Sequence, residues 1–129
     1  MRLVALLPRF VRLWSRATEY RTQGDWLALE RTMQELASNG WSTDESNLLY
    51  GHALLQLGQW QEALDRLNAI EAPLGDISNE AVRWTSSAIA LRNLGRISES
   101  QLLIQSRLAD DWPQEEKDRA ALILEADDC

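Results

Sequence analysis

The sequence predicts an all-α fold, a stack of helical hairpins, and three observations carry that prediction. Gly24 and Trp26 return as Gly58 and Trp60, 34 residues later, and a period of that length is one helix-turn-helix unit of a solenoid. Such a unit cannot bury its apolar face alone and must stack on neighbours. Apolar residues follow helical spacing along the chain, and no run alternates convincingly as a strand would. Glycines and prolines fall between the periodic segments, where they stop one helix and allow the next.

Each element has its own signals. Pro8 suits a first turn, and the first helix runs through Phe10, Val11, Leu13, Trp14, Ala17 and Tyr20 until Gly24 stops it. Asp25 caps a second helix carrying Leu29, Met33 and Leu36, which ends before Asn39-Gly40. Ser42, Thr43 or Asp44 caps the third, with Leu48, Leu49, Ala53, Leu54 and Leu57 ahead of Gly58. The fourth starts near Trp60 and holds Ala63, Leu64, Leu67 and Ile70 before Pro73 and Gly75 break it. Ser78 or Asn79 caps a fifth, with Ala81, Val82, Trp84, Ala88, Ile89, Leu91 and Leu94, closed by Gly95. The sixth covers about residues 97–108. Pro113 opens a seventh, with Glu115 and Glu116 at the positive end of its dipole, continuing through Ala120, Leu124 and Ala126. Connections of a few residues make consecutive helices antiparallel neighbours in one domain.

Bulk properties agree with a packed domain. A chain of 129 residues, 45% hydrophobic and 26% charged, buries about two-thirds of the surface its unfolded form exposes. The net charge of −7 argues against nucleic acid as a partner, because phosphate neutralisation needs a basic surface. Charge is uneven: Arg2, Arg9, Arg12, Arg16 and Arg21 crowd the first segment, whereas residues 109–129 are strongly acidic. The one cysteine, Cys129, has no partner for an intramolecular disulfide, which fits a reducing cytoplasm. The apolar start at residues 3–7 is interrupted by Pro8, Arg9 and Arg12 before it forms a full secretory signal. No apolar run is long enough for a membrane span, and contact with a membrane is not expected.

The Gly-x-aromatic turns sit within a wider pattern. Tyr50-Gly51, Leu54, Gly58, Trp60, Ala63, Leu67 and Ile70, with Gln61-Glu62-Ala63-Leu64 in the second helix, resemble the tetratricopeptide repeat (TPR). Leu13, Ala17, Tyr20, Gly24, Trp26, Leu29, Met33 and Leu36 occupy corresponding places one period earlier. Trp84, Ala88, Leu91, Gly95, Ile97, Ser100 and Ile104 follow with a 37-residue offset between Gly58 and Gly95. The resemblance implies three repeats, 10–43, 44–77 and 81–114, and a capping helix over about 113–126. Leu29 and Ser100 depart from the alanine usual at that place, and Arg107 departs from an apolar one. In size, acidity and repeat count the chain is also similar to the small TPR chaperones of type III secretion.

The same resemblance implies a concave groove lined by the first helix of each unit. It assigns Trp14, Thr18 and Arg21 from unit one, Leu48, His52 and Leu55 from unit two, and Val82, Ile89 and Arg92 from unit three. Val11, Thr22, Glu45, Gln56, Thr85 and Asn93 line it with them, around an apolar centre of Trp14, Leu48, Leu55, Val82 and Ile89 edged by Arg21, His52 and Arg92. Lysine and asparagine clamps for a C-terminal carboxylate are absent from the set. Its apolar centre suits an amphipathic helix or extended segment.

Chemistry is weakly represented. His52 is the only histidine, so a multi-histidine metal site or a histidine pair cannot form within one chain. No phosphate-binding glycine motif occurs, and the acidic pairs lack calcium-loop spacing. The sequence thus predicts no enzyme, no cofactor and no metal. It predicts a module binding another protein's helical or extended segment, as a chaperone or assembly adaptor, in a monomer or weak homo-oligomer. The alternative is a structural subunit that self-associates through residues 3–7 and its oppositely charged ends.

Overall fold

Four helix ends close on the same backbone device. In the computed structural model, which describes residues 8–71 and 73–125, Gly24, Gly58 and Gly95 adopt φ of +73°, +77° and +83°. Glycine enters this left-handed region without the Cβ clash other residues suffer. Each turn repeats one pair of hydrogen bonds: Gly58 N–H to Leu55 O at 3.0 Å and Gln59 N–H to Leu54 O at 2.9 Å have counterparts at Gly24/Asp25, Gly40/Trp41 and Gly95/Arg96. Two of the four terminal carbonyls that each helix would leave orphaned are thereby satisfied.

Seven helices and no strand are found among the described residues: α1 (Pro8–Gln23), α2 (Trp26–Ser38), α3 (Asp44–Gln56), α4 (Trp60–Asn68), α5 (Ile77–Asn93), α6 (Ile97–Arg107) and α7 (Gln114–Glu125). N-terminal caps set the starts. Asp25 accepts from the Ala28 N–H, and Thr43 forms a capping box with Ser46. The cap of α5 is Asp76, accepting from Asn79 N–H, two to three residues earlier than the sequence pattern indicated. Helix α4 ends at Asn68, yet Ile70 just beyond it remains buried. The arm at residues 3–7, Ala126 and Cys129 lie outside the described residues.

Consecutive helices pack together from α1 through α7, and α7 also packs on α5. This all-α hairpin solenoid has the TPR-like architecture. Close approach within the α3/α4 hairpin depends on Gly51, where an added Cβ would stand 2.8 Å from Leu67 Cγ and 3.3 Å from Ala63 O. The atypical residues have structural reasons. Ser100 donates to Ala88 O at 2.7 Å across the α5/α6 hairpin, so its buried hydroxyl is satisfied. Arg107 lays its guanidinium 4.2 Å from the Trp84 ring centroid, covering apolar area as a hydrophobic residue would. Leu29 is fully buried, with no exposed surface.

Two clusters make the core. Leu13, Leu29, Met33, Leu54 and Leu64 belong to the larger, which extends from α1 to the end of α5. Ala81, Ala88, Ile104, Trp112, Ala120 and Ile123 form the smaller, between α5, α6 and α7. Ile89 and Leu103 pack against both. Trp26 and Trp60 are half-buried flanks of the larger cluster.

Candidate binding groove

Helical periodicity aims one stripe of each first helix at a common cleft. Trp14, Thr18 and Arg21 stand on one face of α1, and Glu45, Leu48 and His52 on one face of α3. Leu49 of α3 and Asn79 and Val82 of α5 continue the lining. The cleft encloses about 360 Å³. Six of the nine residues assigned from sequence meet there: Trp14, Thr18, Arg21, Leu48, His52 and Val82.

The other three lie elsewhere. Leu55 is 7% exposed and belongs to the larger core cluster. Ile89 bridges the two clusters, and Arg92 is exposed away from the cleft. Thr85, expected to line the groove, is completely buried, with Glu116 of α7 against it. Its hydroxyl donates to Glu116 Oε1 at 2.8 Å, and Glu116 Oε2 lies 3.5 Å from Arg119 Nη1.

Helix α7 therefore contributes a wall that the repeat pattern did not reveal: Glu115, Glu116 and Arg119 all line the cleft. Glu116 is only 4% exposed, and its charge is accommodated by the Thr85 hydroxyl and Arg119.

Aromatic packing stiffens the opposite wall. Phe10 stacks parallel to Trp14 with centroids 6.4 Å apart and meets Trp41 edge-on at 5.7 Å. His52 sits edge-on to Trp26 at 5.1 Å, which ties the groove to the hairpin turn of α1/α2. Its Nδ1 is buried without a hydrogen-bond partner among the described residues. Burial first, then the nearby positive charges of Arg21 and Arg119, hold its pKa below the usual 6.5. The ring is neutral at pH 7.

Over residues 9–124 the sequence matches the family described as T7SS, ESX-1 secretion system protein EccA1, N-terminal domain. The chain belongs to that family. Every groove-lining residue falls inside the matched stretch. The EccA1 N-terminal family is itself of TPR type, so the chain is a TPR-like helical-repeat module of the kind used for protein–protein interaction. The secretion system named by the family is T7SS, whereas the sequence resemblance was to type III chaperones. Comparison with curated proteins and with solved structures finds no match.

Among the described residues of this EccA1-type domain, no group of three His, Cys, Asp or Glu is placed to hold a metal ion. No helix is long and apolar enough to cross a membrane among those residues either.

Proposed function

We propose that the chain is a non-enzymatic protein-binding module whose groove holds an amphipathic helical or extended segment of a partner protein. The single observation that carries this reading is the half-buried strip of Trp14, Leu48 and Val82 lining an open cleft. Covering what remains exposed of these half-buried side chains contributes about half of the ~1.5–3 kcal/mol that burial from full exposure would, a gain that works against the ordering cost of a flexible partner segment. In this reading the three hairpins are repeats 10–43, 44–77 and 81–114, supported by the shared geometry of their Gly24, Gly58 and Gly95 turns. Helix α7 is the cap.

The family name supports a narrower role, chaperone or assembly adaptor for a subunit of a secretion machine or its cargo. The test is Leu48→Asp combined with Val82→Asp. Both side chains are only half-buried, so the helical circular dichroism should persist, whereas Ile89→Asp would place a charge between the two core clusters. Proteins recovered from native lysate by the parent chain, identified by mass spectrometry, should be lost with the double variant. Unchanged recovery refutes the groove as the binding surface. Sedimentation at rising protein concentration tests self-association, which the module reading does not require.

A further inference from the structure

The groove's two sides differ in charge, and the difference has a direction. Arg21 stands on α1 with no ion-pair partner among the described residues, in a last turn where the helix dipole favours a cation. Across the cleft, Glu115 on α7 is paired only loosely with Arg119, at 3.7 Å, and keeps 76% of its side chain exposed. Helices α3 and α5 pack on one another between these walls, whereas α1 and α7 do not pack closely together. The cleft thus runs from a single cation on the α1 wall, over Leu48 and Val82 with Glu45 beside them, to an α7 wall on which Glu115 and Glu116 outnumber Arg119.

Building on the binding-module reading, we infer that the groove takes its partner in one orientation. The segment it selects carries a carboxylate side chain at the Arg21 end, apolar residues in the middle, and a lysine or arginine at the Glu115 end. Reversing a bound segment would set like charges against each other at both walls, a penalty that complementary interfaces use to fix register.

The probe is a displayed library of random peptides about six turns long, selected in parallel on the parent chain, Arg21→Glu, Glu115→Lys, and the Leu48→Asp/Val82→Asp double variant. Peptides enriched on the parent should place an acidic and a basic residue on opposite sides of an apolar stretch, in one order. On Arg21→Glu the acidic position should become basic, and on Glu115→Lys the basic position should become acidic. A synthetic peptide from the parent selection should bind Arg21→Glu about tenfold more weakly and regain affinity when its acidic residue is exchanged for lysine. Enriched apolar peptides without charge order, or selections indifferent to the two reversals, overturn the orientation while leaving the groove intact. Equal enrichment on the Leu48→Asp/Val82→Asp variant, or no enrichment on the parent, overturns the groove reading and the orientation with it.

Discussion

His52 is the only histidine in the chain, and the structure surrounds it with Trp26, Arg21 and Arg119, with Glu45, Glu115 and Glu116 lining the same cleft. Burial and the two arginines depress its pKa below 6.5 in the folded state. The unfolded chain therefore binds the proton more readily, so stability is fullest above the ordinary histidine pKa and declines as pH falls through it toward the folded value. One such site gives a slope of at most about 1.4 kcal/mol per pH unit. Urea midpoints between about pH 5.5 and 7 should fall with acidification in the parent and more shallowly in His52→Gln; identical slopes would remove His52 as the cause. Sequence alone could place His52 on the inner stripe because Leu48 and His52 are one turn apart. It could not show that Trp26, from the other helix of a neighbouring hairpin, would take away its solvent. Leu55 shows the same limit in the opposite direction: its periodicity matches the groove, but its side chain enters the core. A stripe about one turn wide contains both kinds of position, and helix rotation decides between them.

At the scale of elements, most boundaries set by a local cap or stop were legible, the Asp76 cap of α5 excepted. Gly24, Gly58 and Gly95 end α1, α3 and α5, and Asp25 and Thr43 begin α2 and α3 as their chemistry requires. The placement of α7 was not legible, because it depends on its packing against α5 and α6 and on a long-range pair, Thr85 with Glu116, 31 positions apart. Thr85→Val should expose the value of that pair. It leaves a carboxylate 4% exposed with only Arg119 to balance it, and losing a hydrogen bond to a charged group costs about 1.5–3 kcal/mol. The expected readout is faster amide exchange across residues 114–125, with α2 and α3 little changed. Adding Glu116→Leu should recover part of the loss, since replacing a buried polar pair by apolar groups removes the unpaired charge. Unaltered exchange in α7 of the single variant would show that α7 is held by Trp112, Ala120 and Ile123 alone.

Across the whole molecule, the period of the turns made the architecture legible, but it concealed that the core is divided. The larger cluster reaches from α1 into α5, the smaller joins α5, α6 and α7, and the two meet through Ile89 and Leu103. In a solenoid each hairpin contacts mainly its neighbours, so cooperativity is only as strong as the weakest junction. Ile89 was read from sequence as a groove residue; its position between the clusters makes it a coupling residue instead, and this leads to a sharp expectation. Ile89→Ala removes methyl groups from a half-buried site at a cost of about 2 kcal/mol, but the cost falls on the junction and not on either cluster alone. Hydrogen exchange measured along a urea series should then separate α6 and α7, opening at lower urea, from α2 and α3, which keep the larger cluster. In the parent chain the two regions should lose protection together. If they still do so in Ile89→Ala, at a uniformly lower urea concentration, the clusters are coupled through the hairpin backbones and Leu103, and the junction is not where the fold divides.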